Sequence, residues 1–228
     1  MEPTYPLGRK EAPDARDLNY PFSLELATAW PARIVRKKWT TGQVMDQQLP
    51  QSCRGKVNSC VGHMYRQYLV STPVPVNPLL GPSACEIYEW AIRNDEWTWN
   101  DDRDDGTSLR AGVQFLVNQQ RVKTYLWSWD YEEVAKWILT KGPVNVGTRW
   151  YSNMFTPDPS GYVTPGGNVV GGHAYLVYGV DRPTETFFCV NSWGARWGLA
   201  GHFKITYSAM NHLLLNGGEA CTAVEQRI

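Results

Sequence analysis

Asn191-Ser192-Trp193-Gly194 runs directly into Ala195-Arg196-Trp197-Gly198, with Gly201 close behind. A solvated loop does not collect two indoles, so this connection has to fold against a core and hold a polar amide beneath a ring, away from water. The glycines supply the tight turns that such a path needs. Upstream, Gly171-Gly172-His173-Ala174-Tyr175-Leu176-Val177 places a His at the start of an apolar run that reads as a strand, and Asn58-Ser59-Cys60-Val61-Gly62-His63-Met64 places a Cys at the entry of a helix-like segment. Cys, then His, then Asn is the chain order of a nucleophile, its base and the group that orients the base.

These residues resemble the papain-like cysteine peptidases, the papain and cathepsin family, in a form without a long propeptide. The family pattern is a Gln, a Ser-Cys at the head of a long helix, a His-Ala opening a strand, and Asn-Ser-Trp-Gly with a second Trp-Gly soon after. Here it is met by Asp46-Gln47, Ser59-Cys60, His173-Ala174, Asn191 to Gly194 and Trp197-Gly198, and the likeness extends from about Pro31 to Val224. The Asn-Ser-Trp-Gly block is highly specific, whereas a Ser-Cys alone is not. The resemblance implies an α+β fold of two lobes, a helical N-terminal lobe and an antiparallel, barrel-like β lobe, with the cleft between them. It also implies catalytic roles for Cys60, His173, Asn191 and Gln47, with Gly106, Gly172 and Trp193 lining the substrate cleft.

The bulk properties fit a single two-lobed unit. A chain of 228 residues can bury a sizeable core. Its 22 basic and 22 acidic side chains leave no net field to attract nucleic acid or an anionic membrane, so neither is an expected partner. A peptide or protein substrate is the partner expected, without cofactor or metal; an oligomer or assembly partner is left open. The first ten residues lack the apolar stretch of a secretory signal, which makes the cytoplasm the default compartment. Five cysteines, at 53, 60, 85, 189 and 221, leave at least one thiol free if all disulfides are internal. Their spacing does not reproduce the disulfide framework of secreted relatives, and the partner expected in the family's Cys-Gly-Gly segment is missing, so the chain reads as tolerant of a reducing compartment.

Along the chain, residues 1–30 form a Pro-, Arg- and Asp-rich arm without period, expected to wrap the body as an extended strap; it is too short for a folded inhibitory prodomain. The peptidase domain then occupies 31–228, with a helical lobe to about 130 and a β-rich lobe from about 131. Helices are expected from Cys60 to about Ser71, from the capping box Ser83-Ala84-Cys85-Glu86 onward, from Gly106-Thr107-Ser108 to about Gln120, and from Asp130 to Lys141-Gly142-Pro143. Strand-like runs follow at Val144 to Trp150, Ala174 to Val180, Thr186 to Val190 and His202 to Tyr207.

The chemistry explains the residue types. A thiol at a helix N-terminus sees the positive end of the macrodipole, and a neighbouring imidazolium adds a full charge, so such a thiol can titrate at roughly 3 to 4 and be a thiolate at neutral pH. Asn191 would fix the rotation of His173, Trp193 would keep that hydrogen bond dry, and the backbone N–H of Cys60 with the Gln47 amide would hold the oxyanion.

Gln47 lies thirteen positions before Cys60, farther than in the family, so the intervening loop must bulge and Gln48 and Gln51 stand as alternative donors. Cys53 is a rival nucleophile by distance from Gln47, but Arg54-Gly55-Lys56 cannot start a good helix to activate it. His63 reads as a packed helix residue, His202 and His212 as strand and surface positions, and the run from Asp101 to Asp105 as a solvated loop. Two function classes remain: a thiol peptidase, or a papain-like fold kept as a binding or structural module in a larger assembly.

Overall fold

The computed structural model describes residues 5–49, 53–98, 100 and 103–224. Helix α1 (Cys60–Leu69) is buried along its entire length, which places it at the centre of the molecule rather than on a face. Around it stand α2 (Ala84–Asn94) and α3 (Leu109–Asn118), both amphipathic and both started by serines. Ser83 makes the full capping box with Glu86, as its sequence predicts. Ser108 accepts from Ala111 N.

The second lobe is an antiparallel sheet in the order β2-β7-β3-β4-β5-β6, with β1 pairing β4 outside this path. Its strands are β1 (Arg36–Lys38), β2 (Thr124–Ser128), β3 (Val144–Tyr151), β4 (Val169–Asp181), β5 (Thr186–Val190), β6 (His202–Thr206) and β7 (Glu219–Val224). The expected barrel does not close: β2 and β6 are the two ends of an open sheet. Helices α4 (Tyr131–Thr140) and α5 (Tyr207–Leu215) pack on it. Asp130 caps α4 by accepting from Glu132 N, while Glu133 instead accepts from Ser128 Oγ. The run expected to stay extended to Tyr207 turns into α5 at that residue, because Thr206 accepts from Ala209 N and caps a new helix. Among the described residues no helix is long and apolar enough to cross a membrane.

The lobes share an interface in which α1 lies against β3 and β4. One core cluster joins Cys60, Val61, Met64 and Leu69 of α1 to Ala174 and Leu176 of β4 and Cys221 of β7. A second lies within the β lobe around Trp150, Tyr175, Phe187, Trp193, Trp197 and Phe203. A disulfide between Cys53 and Cys85 ties the loop before α1 to the first turn of α2. This pairing, on no framework the spacing suggested, removes Cys53 as a rival nucleophile and leaves Cys60, Cys189 and Cys221 free.

The arm contains two short 3-10 turns, Ala15–Asn19 and Phe22–Leu24, between extended stretches. It is fastened by charge: Arg110 of α3 pairs with Asp17 and, at 2.9 Å, with Glu96, and it also donates to Ala12 O. The acidic loop is organised rather than merely solvated, as far as it is described. Asp104 accepts from Val57 N at 2.9 Å, and Arg103 pairs with Asp95 at 2.7 Å and with Asp105 at 2.6 Å. Residues 101 and 102 lie outside the described residues.

Candidate active site

Cys60 is the first residue of α1, where the helix leaves N–H groups without intrahelical partners. Backbone N–H groups of Ala174, Val61 and Cys60 itself face its sulfur, and the first of these is next in sequence to His173. His173 stands on β4 opposite Thr148 of β3. Its Nε2 lies 2.7 Å from Asn191 Oδ1, and Asn191 follows directly on β5. Trp193 stacks on the imidazole at 4.4 Å between ring centres, and Trp150 meets it edge-on at 5.0 Å. His173 Nδ1 is buried with no hydrogen-bond partner. A ring whose one nitrogen is fixed by an amide, whose face is covered by an indole and whose other nitrogen is unengaged has a set orientation and a free proton site.

Gln47 is fully buried although it lies thirteen positions before Cys60. Asp46 bridges Trp193, Gln47 N donates to Ser192 O, and Ser192 Oγ donates to Gln47 Oε1 at 2.5 Å. Gln47 is therefore registered against the Asn-Ser-Trp-Gly segment despite the longer spacing to Cys60. Gln47 Nε2 donates to Val57 O at 2.7 Å and faces Pro6 O and Leu7 O at 3.2 and 3.3 Å. Gln48 is exposed and turned onto Asp46, so it is not at the site. Gln51 lies outside the described residues.

Residues 5–10 of the arm fill the cleft. Gly8 N and Arg9 N both donate to Gly172 O, at 3.0 and 2.9 Å, while Thr107 N donates to Gly8 O and Lys10 N to Thr107 O. Trp193 Nε1 donates to Pro6 O, and Tyr5 stacks on the same indole. Gly106, with φ of +89°, lies so close that a Cβ there would stand 2.0 Å from Gly8 O; only glycine permits that approach. Gly106 and Gly172 are thus both at the strap, but Thr107, beside Gly106, supplies the paired backbone N–H and C=O. Sequence reasoning gives no site role to Thr107, Ser192 or Glu219, the residue that receives Arg9: Ser192 reads only as part of the Asn-Ser-Trp-Gly block, Thr107 only as part of a helix start, and Glu219 belongs to no motif.

The strap sets the electrostatics. Burial pushes the Cys60 thiol up to about 12, against the pull of the surrounding N–H groups. Burial also holds His173 down to about 4, with the Asn191 hydrogen bond opposing it. Burial thus favours a neutral thiol and a neutral imidazole over the expected thiolate–imidazolium pair, while the nearby Arg9 charge pulls the thiol the other way. Burial also lowers His63, whose Nδ1 sits 2.9 Å from Ser59 O on the inner side of α1, as expected of a packed helix residue. Among the described residues, the group of potential metal ligands that converges is Cys53, Cys85 and Glu89, and two of those three are joined in the disulfide.

A Cys at a buried helix head packs against Ala174, the neighbour of a His–Asn pair, where a helical lobe meets an antiparallel sheet, and this is the architecture of the papain-like fold class. The sequence pattern of papain family cysteine proteases matches residues 91–222, more than half the chain, a stretch that includes His173 and Asn191 and begins after Cys60. The chain belongs to that family. It is 36% identical over 76 residues to cathepsin B-like cysteine proteinase 5 of Caenorhabditis elegans, covering 32% of this chain and 22% of that protein. It is 33% identical over 79 residues to cathepsin B-like CP3 of Giardia intestinalis, covering 33% and 26%. The matches thus span about a quarter of those relatives' length. In fold it resembles xylellain, a cysteine protease from Xylella fastidiosa, with a TM-score of 0.68 and 15% identity over 100% of this chain and 99% of that one. It also resembles digestive procathepsin L2 proteinase from Tenebrio molitor, with a TM-score of 0.62 and 17% identity over 96% and 78% of the two chains.

Proposed function

We propose that the protein is a cysteine peptidase that hydrolyses peptide bonds through Cys60, His173 and Asn191, and that its strap holds it closed. The observation that carries this reading is the His173–Asn191 hydrogen bond of 2.7 Å under Trp193, with the opposite ring nitrogen unengaged and the neighbouring Ala174 packed in one cluster with Cys60. A His needed only for packing has no reason to keep a buried nitrogen without a partner, since each such orphan costs about 1–3 kcal/mol.

When the strap leaves, water and substrate enter, the burial that disfavours charge is relieved, and the Cys60 proton passes to His173 Nδ1. The thiolate adds to the substrate carbonyl, forming a C–S bond and an oxyanion. The backbone N–H of Cys60 and the Gln47 Nε2 amide stabilise that oxyanion, the role for which Gln47 now faces the carbonyls of Pro6 and Leu7. The C–N bond breaks as His173 returns its proton to the departing amine, leaving a thioester. Water then attacks, giving a proton to His173, and the carboxylic acid departs as the thiol re-forms. Asn191 keeps the ring aligned through both half-reactions.

A second reading, a binding or structural module, is favoured by the complete closure of the cleft: Cys60 has no exposed surface. A peptidyl epoxide separates the two. A peptidase is labelled irreversibly at Cys60 and cleaves peptides, with both lost in Cys60→Ala. Absence of labelling and cleavage even in a variant with a weakened strap would sink the enzyme reading.

A further inference from the structure

Helix α1 begins differently from the other α-helices. Ser83, Ser108, Asp130 and Thr206 each accept a backbone N–H at the heads of α2, α3, α4 and α5, whereas, among the described residues, Ser59 makes no such bond at the head of α1. The N–H groups of Cys60 and Val61 stay turned towards the Cys60 sulfur instead. A head left open for chemistry gives up the hold that a cap side chain supplies. In α1 that hold comes from within the first turn, and the residue that supplies it is His63.

His63 N and His63 Nδ1 both point at the carbonyl oxygen of Ser59, at 3.1 and 2.9 Å. A carbonyl oxygen only accepts, so Nδ1 carries a proton and donates it. Ser59 Oγ lies 3.2 Å from the same nitrogen and gives its own proton to Lys56 O at 3.4 Å, which leaves it too an acceptor towards Nδ1. Burial lowers the pKa of this imidazole, so the ring is neutral at pH 7 and its one N–H is the one on Ser59. Ser59 has no exposed surface and His63 very little, so bulk solvent does not compete for the bond.

The carbonyl that receives both bonds belongs to the peptide group joining Ser59 to Cys60. The other end of that group is the Cys60 N–H, the backbone donor to the oxyanion in the mechanism above. A peptide group is planar and rigid, so holding its C=O fixes the direction of its N–H. Hydrogen bonds in a chain also polarise one another, so two donors on the oxygen make the N–H a stronger donor.

We propose that His63 is a positioning residue of the oxyanion hole: its Nδ1–H holds and polarises the Ser59–Cys60 peptide while the head of α1 stays uncapped. The inference rests on the peptidase reading and adds to it a residue that acts through the peptide rather than on the substrate. An oxyanion donor is worth about a hundred- to a thousandfold in rate and cooperative strengthening is roughly 10–30% of a bond, so losing the His63 contribution should cost about twofold to eightfold in kcat.

The test uses the full-length chain in the Arg9→Ala background, which removes the strap's buried ion pair with Glu219. His63→Phe and His63→Leu lack a donor, the first keeping a ring of similar size. His63→Asn is smaller, yet its Nδ2 amide takes about the place of Nδ1 and donates to Ser59 O. Steady-state kinetics should show kcat lowered by about twofold to eightfold in the Phe and Leu variants with KM unchanged, and restored in the Asn variant. A residue needed only for packing gives the reverse order, because Phe fills the space and Asn does not. In the otherwise native protein, the 13C signal of the Ser59 carbonyl should move upfield in the Phe and Leu variants and return in the Asn variant, with circular dichroism showing each folded. Cleavage with equal kcat in all of them, cleavage with the order reversed, or a Ser59 signal indifferent to the substitutions overturns the role of His63 and leaves the peptidase reading standing. No cleavage by Arg9→Ala itself overturns the peptidase reading, and the catalytic use of His63 falls with it.

Discussion

Replacing Arg9 by Ala should convert Cys60 from a protected thiol into a reactive one. Cys60 has no exposed surface beneath the strap, and its pKa of about 12 leaves a thiolate fraction on the order of one in thirty thousand at pH 7.5, so alkylation proceeds through opened molecules. Arg9→Ala strands Glu219 as a buried, unpaired carboxylate in the closed state only. Removing one partner of a buried pair costs about 3–5 kcal/mol, and each 1.4 kcal/mol is about tenfold, so opening should become roughly a hundredfold to a few thousandfold more frequent. Lys10→Ala is the contrast. Its partner Asp105 has a side chain 57% exposed, such pairs are worth under about 1 kcal/mol, and the gain should stay below about fivefold. Iodoacetamide labelling at pH 7.5, read by mass spectrometry at each cysteine, measures this. Cys189 and Cys221, fully buried in the sheet lobe and at its junction with α1, should remain unreactive in every protein. Equal Cys60 rates in wild type and Arg9→Ala would refute the gate, and a parallel rise at Cys189 and Cys221 would show general unfolding instead of strap release.

Acid should cost stability through His173. Its folded pKa of about 4 lies below the ordinary 6.5, so its contribution is complete above pH 6.5 and is lost as pH falls towards 4, a change of about 3 kcal/mol. Urea midpoints at pH 7 and 4.5 should differ more for wild type than for His173→Gln; equal differences would contradict the assignment. In proteins with the strap weakened, Asn191→Ala should lower turnover without unfolding the chain, and less severely than His173→Ala, as steady-state kinetics with circular dichroism will show; full activity would make the Asn191 contact architectural. Gln47→Ala in the same background should cut kcat by roughly two to three orders of magnitude with little change in KM, because its bond strengthens only as charge develops on the carbonyl oxygen. Unchanged kcat would leave the Cys60 N–H as the donor. Replacing Cys53 and Cys85 together by Ser should lower the stability of the oxidised protein by about 3–4 kcal/mol, the entropy of a loop closed over 32 positions, with no such loss under reducing conditions.

The sequence by itself determined the elements whose signals are local. Ser83 with Glu86, Ser108 and Asp130 announce helix starts that depend only on side chains reaching backbone within one turn. The contact of His173 with Asn191 beneath Trp193 was equally legible, because it is carried by short motifs: Trp193 covers the imidazole, and Gly194 turns the chain at φ of +73°. What only the tertiary structure decided lies between segments far apart in the chain. Arg9 and Glu219 are 210 positions apart and share no motif, yet they form the buried pair on which the strap turns. Gly147 reads in sequence as a weak point in a strand; it is the opening through which that pair meets. Cys53 and Cys85 found one another through the packing of a loop on α2, a distance no spacing encodes. The ionisation of Cys60 was set the same way. A helix head favours a thiolate, but that is the attraction of a few neighbours, and the desolvation of a thiol buried beneath a cleft that residues 5–10 cross outweighs it.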